Sequence, residues 1–488
     1  MDIYVEPFLL FCSILILVSL FASKAGTRFG VPILLLFIGV GMIFGSSGIG
    51  FQFENYNMSQ AIGTVALCII LFSGGLDTKY EDIKPIAAQG IALATAGVLL
   101  TAVFTGIFIY YAVLFWFPGI SISFLEAMLL ASVMSSTDSA SVFAILRGKG
   151  VRLKNNLKPM LELESGSNDP MAYMLTVVLI QLVTSGQHET IAYGPAIVSF
   201  FVQFIVGIGA GFVLGKAAVW LINKINLEND SFYPILLFTC GLFIFSATYI
   251  LKGNGFLAVY LAGLVIGNSK FAHKRLSLRV FDGLTWLSQL ILFLTLGLLV
   301  NPSQLLPIAF VSLLIGAFMI FGARPLTVLI ALLPFRKTSV RDKVFVSWVG
   351  LKGAVPILFA IFPLTAEIES SQFIFNVVFF ITLMSLLLQG TTLTRVASWL
   401  HLANEPEHIC FRDFDVEFSE DIKYVMTEVE ITDNWLQRGK RLKNLPIPKH
   451  TIVVLIKRDE KYLIPKDNIE LTINDKLMII TTDADGLL

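Results

Sequence analysis

The segment that decides the fold reads Leu161-Glu162-Leu163-Glu164-Ser165-Gly166-Ser167-Asn168-Asp169-Pro170 and lies within a longer apolar run, residues 157–184. Three acidic side chains in such a run need a physical reason, because a charge at the centre of a bilayer costs about 2.5–3.5 kcal/mol on translocon-insertion scales. On a helix, Ser165 and Asp169 stack on one face because they are four residues apart. Glu164 and Asn168 stack in the same way on the adjoining face. The segment therefore offers oxygen ligands to a small monovalent cation, and its carboxylate suits a proton equally well.

The composition of the whole chain indicates a membrane protein with a soluble tail. Of the 488 residues, 56% are apolar and 14% are charged, whereas a typical globular protein has about 45–50% and about 25%. Residues 401–488 hold 29 of the 70 charged side chains. We therefore expect a transmembrane domain over residues 1–400 and a small cytoplasmic α+β domain over residues 405–488. These values exclude a soluble enzyme with a single core, a disordered chain and a fibrous protein, and the zero net charge gives no reason to expect a nucleic-acid partner.

Thirteen apolar runs are candidate transmembrane helices, since about 20 apolar residues cross a hydrocarbon core of roughly 30 Å. They lie near residues 7–23, 30–47, 60–76, 85–117, 122–147, 157–184, 191–222, 231–251, 254–269, 280–300, 304–334, 342–364 and 371–398. Basic residues accumulate in cytoplasmic loops, and with the N-terminus outside only Lys252 falls in an outside loop, against eighteen basic residues inside. The sequence thus predicts an all-α polytopic protein of the cell inner (plasma) membrane, with its charged tail in the cytoplasm.

Three further ionisable residues inside apolar runs are candidates for the same site. Asp138 follows Thr137 in a serine-rich stretch, Arg324 precedes a proline, and Lys352 lies between glycines in the segment 350–356. Serine and glycine tolerate non-helical backbone, whose free carbonyl groups and helix ends can line an ion site in the middle of a membrane. The sequence contains no metal-ligand cluster, activated nucleophile or phosphate-binding loop, so we expect neither an enzyme nor a cofactor or bound metal, apart from a transported ion.

Several of these segments together resemble the NhaP-type branch of the monovalent cation:proton antiporter superfamily. The family's Thr-Asp pair corresponds to Thr137-Asp138, and its Glu-Ser-x-x-Asn-Asp corresponds to residues 164–169. Residues 253–263 resemble its ninth span, and residues 350–355 resemble its Gly-Leu-Arg-Gly-Ala-Val, with Lys352 in place of arginine. The resemblance covers residues 5–400, and one departure is Ser139, where many relatives carry proline.

The resemblance implies a fold and a set of site residues. The fold has two inverted repeats, spans five and twelve are broken and cross each other, and a homodimer works by an elevator-type motion. Cation and proton would compete for Asp169. The residues helping it would be Thr137, Asp138, Ser165 and Asn168. Glu164 and Arg324 would form a structural ion pair, and Lys352 would support the broken helices. Exchange would be electroneutral, because Asn168 stands where electrogenic relatives carry a second acid and because Arg324 stays protonated.

The tail resembles a C-terminal regulator-of-potassium-conductance module of the TrkA-C type. The resemblance depends on Gly439-Lys440-x-Leu442-x-x-Leu445, followed by the apolar run 452–456 and by Ile464-Pro465. Modules of this kind dimerise and bind small regulators, so a nucleotide or similar ligand is a possible regulator here. Because they are frequent on potassium transporters, we expect exchange of K⁺ for H⁺ in pH, potassium or volume homeostasis.

Three alternative functions remain open from the sequence. A Na⁺-selective Na⁺/H⁺ antiporter would use the same residues. A ligand-gated potassium channel could end in the same module, but no Thr-Val-Gly-Tyr-Gly filter is present and the buried acids would have no role. A proton-coupled symporter would need a larger site lined by aromatic and amide side chains.

Overall fold

The structure, a computed structural model, describes residues 5–29, 32–45, 48–51, 53, 55–186, 193–335, 338–404, 425–431, 442, 451–458, 461–465, 469–473 and 475–481. The chain divides into two compact units, Met1–Ala403 and Asn404–Leu488. The first unit contains the helices and the second contains a small sheet.

The first unit is helical over most of its described length. Its helices are α1 (Val5–Phe29), α2 (Ile33–Phe44), α3 (Tyr56–Asp77), α4 (Tyr80–Ile83), α5 (Ala87–Ala92), α6 (Val98–Trp116), α7 (Phe124–Val133), α8 (Ser139–Gly148), α9 (Leu157–Gly186), α10 (Tyr193–Ile225), α11 (Phe232–Ile250), α12 (Gly255–Gly267), α13 (Lys274–Leu299), α14 (Ala309–Phe318), α15 (Arg324–Ala331), α16 (Val340–Trp348), α17 (Ala354–Thr365) and α18 (Ser371–Trp399). Short 3₁₀ turns lie at Lys84–Ile86 and Pro302–Gln304, and π-helical turns lie at Leu93–Gly97 and Met319–Ala323. Two short strands are β1 (Arg152–Leu153) and β2 (Ala403–Asn404).

The helices occupy the thirteen predicted spans. Among the described residues, eight helical segments are long and apolar enough to cross a membrane: α3, α4–α6, α9, α10, α11, α13, α14–α15 and α18. Shorter apolar helices occupy the other five: Leu9–Lys24 within α1, and α2, α7, α12 and α17. The prediction of an all-α polytopic fold is confirmed.

Spans five and twelve are each broken in the middle, as predicted. α7 ends at Val133 and α8 begins at Ser139, while α16 ends at Trp348 and α17 begins at Ala354. The backbone between these halves is not helical, and its free polar groups pair across the crossing: the amide of Asp138 donates to the carbonyl of Leu351 at 2.8 Å. Only glycine fits at position 353, because a Cβ there would lie 2.0 Å from Oδ2 of Asp138.

The first half of each broken span begins with the same capping arrangement. At the start of α7, the Ser123 hydroxyl accepts the amide of Glu126, and the Glu126 carboxylate accepts the amide of Ser123. Such a capping box satisfies two amides that a helix start leaves free. The second carboxylate oxygen of Glu126 accepts the hydroxyl of Ser370, just before α18, at 2.6 Å.

The start of α16 repeats this arrangement in the second half of the chain. Ser339 and Asp342 form the capping box. The Asp342 carboxylate also accepts the amide of Asn155, just before α9, at 3.0 Å. Each capping acid therefore binds the segment that precedes the long helix of the other half, as expected for two related repeats.

α9 is held against its neighbours by close packing. Position 166 faces the ring of the buried Tyr260 on α12, where a Cβ would lie 2.2 Å from Cε2. The side chain of Asn254, at the start of α12, donates to the carbonyl of Pro170 at 2.8 Å. These contacts fix the position of the acidic segment inside the helical unit.

The second unit contains a four-stranded antiparallel sheet. Its strands are β3 (Val425–Glu430), β4 (Ile452–Arg458), β5 (Lys461–Leu463) and β6 (Lys476–Thr481), in the order β3-β6-β4-β5. The sequence pattern indicates β-structure over residues 461–471, and β5 ends at Leu463, shortly before Pro465, which has no amide to donate to a ladder. The helix that the sequence pattern indicates over residues 434–445 lies outside the described residues, apart from Leu442.

Candidate functional site

The acidic segment lies in the interior of α9, a helix of 30 residues. Four polar residues of the segment are buried, each with no more than 8% of its surface exposed: Glu164, Ser165, Asn168 and Asp169. Glu162 differs from them, because it lies nearer the helix start and forms a partly exposed ion pair with Lys158 at 3.7 Å. Glu162 therefore lies outside the buried group, in partial contact with solvent.

Asp169 faces the break between α7 and α8. Its Oδ1 atom accepts a short hydrogen bond from the hydroxyl of Ser136, a residue of the non-helical backbone at the break. Asp169 is 6% exposed and Ser136 is 1% exposed. A carboxylate that is nearly removed from solvent therefore lies beside the crossing of the two broken spans.

Three of the predicted site residues form one hydrogen-bonded network beside Asp169. The hydroxyl of Ser165 donates to the carbonyl of Thr137 at 2.9 Å and accepts the amide of Ser139 at 3.1 Å. The amide of Asn168 donates to the hydroxyl of Thr137 at 2.6 Å. The Oδ1 atom of Asn168 is buried and has no hydrogen-bond partner among the described residues, so its lone pairs are available to a cation.

Asp138 lies at the same break, but its carboxylate is turned toward α8. It accepts the amide of Ser141 at 3.0 Å and, through its other oxygen, the hydroxyl of Ser141. Asp138 therefore caps the first turn of α8, a role that aspartate commonly has at helix starts. It lies two residues after Ser136, the residue that contacts Asp169.

Glu164 and Arg324 form a buried ion pair, as the resemblance implied. Nη2 of Arg324 lies 2.6 Å from Oε1 of Glu164, and the two side chains are 8% and 1% exposed. Arg324 begins α15, directly after the π-helical turn Met319–Ala323. The pair joins α9 to α15 and leaves Glu164 neutralised.

Lys352 lies in the break of the second broken span and reaches the first. Its ammonium donates to the carbonyl of Ser136 at 2.8 Å, and its backbone amide donates to the hydroxyl of Ser385 at 2.9 Å. The side chain of Gln389 in turn accepts from Ser385 and donates to the carbonyl of Trp348. Lys352 therefore links the two breaks to each other and to α18.

The structure brings the predicted residues together and adds some that sequence reasoning missed. Ser136 makes the direct contact with Asp169, Ser385 and Gln389 hold the Lys352 backbone, and Asn254 holds the α9 backbone at Pro170. A signal for Ser136 was present, since it directly precedes Thr137, but Ser135 is its neighbour and is equally polar. Which of these two side chains faces Asp169 depends on the backbone conformation at the break.

The fold and the site define a class of protein: a polytopic secondary transporter in which two broken helices cross beside a buried carboxylate. The family model described as the transmembrane sodium/hydrogen exchanger matches residues 13–399, and the chain belongs to this family. It is therefore a multi-pass membrane protein.

Curated relatives match nearly the full chain. The K(+)/H(+) antiporter NhaP of Alkalimonas amylolytica is 37% identical over 482 residues, which are 98% of this chain and 81% of that protein. The K(+)/H(+) antiporter NhaP2 of Shewanella oneidensis is 36% identical over 480 residues, again 98% of this chain and 81% of that protein. The Na(+)/H(+) antiporter ApNhaP of Aphanothece halophytica is 26% identical over 416 residues, 82% of this chain and 75% of that protein.

A solved structure has the same fold. The sodium proton antiporter MjNhaP1 from Methanocaldococcus jannaschii superposes with a TM-score of 0.67 at 20% identity, over 80% of this chain and the whole of that one. At this identity the likeness concerns the fold alone.

Proposed function

We propose that this protein is a secondary antiporter that exchanges a monovalent cation, K⁺ or Na⁺, for H⁺, with Asp169 holding the two in turn. The observation that carries the proposal is the position of Asp169, buried inside a membrane-spanning helix and facing the non-helical backbone of a broken one. A carboxylate there must be neutralised before it can move through low dielectric, and either a proton or a dehydrated cation neutralises it. Competition for one such group is sufficient for antiport.

The charges around the site support an electroneutral exchange of one cation for one proton. The ionisable groups at the crossing are three acids and two bases: Asp138, Glu164, Asp169, Arg324 and Lys352. With all five ionised, one negative charge remains. One bound cation or one bound proton brings the sum to zero, so the two loaded states carry the same charge. A centre that is neutral in both loaded states avoids most of the cost of moving a net charge through hydrocarbon.

K⁺ is the proposed principal cation. The relatives with 36–37% identity over 98% of the chain are named K⁺/H⁺ antiporters, while the relative named a Na⁺/H⁺ antiporter is 26% identical. The resemblance of the tail to potassium-transporter modules supports the same cation. Na⁺ is the alternative that the transport measurement must separate from K⁺.

The remaining features of the proposal come from the family resemblance and from the loop charges. The protein forms a homodimer in the cell inner membrane and works by an elevator-type alternating-access motion. Its N-terminus lies outside, and its C-terminal domain lies in the cytoplasm, as the distribution of basic loop residues indicates. That domain regulates transport by binding a small ligand such as a nucleotide.

Flux through the purified protein in liposomes tests the proposal. With a pH-sensitive dye inside, an imposed K⁺ gradient should drive proton movement, and Na⁺, Li⁺ and Rb⁺ added in turn give the selectivity. Asp169→Asn should abolish the exchange without unfolding the protein, because asparagine binds neither a proton nor a cation strongly. Asp82→Asn, at an exposed residue of α4, is the matched control and should retain it. Exchange at the wild-type rate in Asp169→Asn would refute the assignment.

The stoichiometry needs a separate measurement. When the membrane voltage is clamped, an electroneutral exchanger should move protons at an unchanged rate, and an imposed voltage alone should move none. Proton movement driven by voltage alone would mean that a second acid, such as Asp138, also carries a proton.

A further inference from the structure

The break between α7 and α8 contains a side chain to which neither the sequence nor the relatives gave a role. Ser136 is 1% exposed, and its hydroxyl donates to Oδ1 of Asp169. We propose that Ser136 is a direct ligand of the transported cation, and that its hydroxyl alternates between donating to the empty Asp169 carboxylate and offering a lone pair to the ion. This proposal rests on the antiport function proposed above.

The backbone carbonyl of Ser136 is not free to bind the ion, so the hydroxyl is the group of this residue that is available. Its carbonyl oxygen accepts the ammonium of Lys352 at 2.8 Å. A carbonyl bound to a cationic side chain is a poor ligand for a second cation, because its electron density is already drawn to the first. The same contact fixes the backbone of Ser136 and thereby aims its side chain at Asp169.

The other polar groups of the site are largely occupied by each other. The hydroxyl of Ser165 is bonded both to the carbonyl of Thr137 and to the amide of Ser139. The hydroxyl of Thr137 accepts from Asn168, and the carboxylate of Asp138 accepts twice from Ser141. Among the side chains that the structure describes, the Ser136 hydroxyl is the one with a hydrogen bond to Asp169.

A hydroxyl suits the alternation because it has one donor and two acceptor lone pairs and rotates at little cost. When the carboxylate is charged and empty, the O–H points at it and replaces part of its lost hydration. When a cation binds beside the carboxylate, rotation about the Cβ–Oγ bond turns a lone pair toward the ion. When Asp169 carries a proton instead, the same lone pair accepts the carboxylic O–H. Each state of the cycle therefore keeps a partner for both groups.

The cation dependence of exchange in liposomes tests Ser136 against its neighbour. Ser136→Ala should raise the K⁺ concentration for half-maximal flux about 3- to 10-fold, the range expected for the loss of one net hydrogen bond or neutral ligand. The maximal rate should stay within about twofold, because the proton-carrying group is retained. Ser136→Thr keeps a hydroxyl and should restore the wild-type half-maximal concentration.

Ser135→Ala is the matched control, since Ser135 is equally buried but donates to the carbonyl of Ser132 in its own turn. It should leave the half-maximal concentration unchanged. Ser136→Cys nearly keeps the volume of the side chain but offers a weak ligand to a hard ion, so its half-maximal concentration should rise as in Ser136→Ala. If Ser136→Ala does not fold, Ser136→Cys provides the test. A wild-type half-maximal concentration in folded Ser136→Ala or Ser136→Cys, or an equal loss in Ser135→Ala, would overturn the inference. A wild-type protein without cation-driven proton flux would instead refute the antiport function itself.

Discussion

Replacing Glu164 and Arg324 by alanine, singly and together, measures how much their buried pair contributes to the fold. The two charged atoms are 2.6 Å apart and almost fully shielded from solvent. Removing one partner leaves the other charge buried and uncompensated, which costs about 3–5 kcal/mol. Unfolding entropies are about 2.1 cal/mol/K per residue, so the 403 residues of the first unit give about 0.85 kcal/mol/K. Each single variant should therefore lower the apparent midpoint of thermal unfolding by about 4–6 °C.

Thermal unfolding of the purified protein in detergent is the assay, and α9 supplies its own control. Lys158 and Glu162 lie at the start of the same helix, at 3.7 Å, with side chains 59% and 34% exposed. A surface pair of this kind contributes roughly 0–1 kcal/mol, so alanine at either position should lower the midpoint by about 1 °C or less. The double variant of the buried pair should lose clearly less than the sum of its two single variants, because it leaves no charge unpaired.

The two single variants should also differ in their response to pH. In Arg324→Ala the remaining Glu164 can take up a proton, so the loss of stability should shrink as the pH falls. In Glu164→Ala the remaining guanidinium stays charged at any workable pH, and the loss should not depend on pH. Strictly additive losses in the double variant, or losses equal to those of the exposed control pair, would contradict an ion pair in the folded protein.

Three further perturbations test other parts of the structure. Gly166→Ala should lower the unfolding midpoint, because its Cβ would meet the fully buried ring of Tyr260 at 2.2 Å. Overpacking of this kind costs roughly 1–3 kcal/mol. Gly209→Ala is the control and should not lower the midpoint, because a Cβ there has no atom within 4 Å. A chain ending at Asn404 retains the whole transmembrane site and should still exchange ions with an altered pH or ligand response, so complete loss of flux in a folded truncation would place the tail in the mechanism. In the tail, burial alone raises the pKa of Asp475, but hydrogen bonds from Arg458 and a neighbouring turn outweigh it and hold that pKa below its usual value. Because this pKa is lower in the folded tail than in the unfolded chain, ionised Asp475 stabilises the folded tail at neutral pH, and this stabilisation is lost below about pH 4. Asp475→Asn at pH 7 should therefore speed the hydrogen exchange of the backbone amides in β6. Unchanged exchange would argue against the ion pair.

The spans were predictable because crossing a bilayer requires apolar length whatever the neighbours are. The shorter apolar helices were found in the same way, including one half of each broken span, α7 and α17. What hydropathy cannot show is where a span is interrupted. The breaks were predicted from the serine and glycine residues around Thr137 and Lys352 and from the family resemblance of these two segments, whereas the π-helical turn before Arg324 left no signal in the pattern of apolar residues.

Contacts between distant parts of the chain were harder to predict from the sequence than the spans. The proximity of Glu164 to Arg324 was expected from the resemblance, since no periodicity connects residues that are 160 positions apart. Ser135 and Ser136 could not be told apart, because the backbone of a break has neither the 3.6-residue nor the two-residue repeat that assigns a face.

The pairing of the two breaks has a consequence for the synthesis of the protein and its insertion into the membrane. The ammonium of Lys352 and the carbonyl of Ser136 are 216 residues apart in the chain, and Ser370 is made 244 residues after Glu126. At synthesis rates of about 5–20 residues per second, the first half waits roughly 10–50 s in the bilayer before these partners emerge. During that interval its interrupted backbone and its acidic helix lack the groups that later satisfy them, which hydrocarbon tolerates poorly. The nascent first half is therefore the stage at which the insertion machinery, chaperones and membrane proteases have most influence on whether a functional transporter is made.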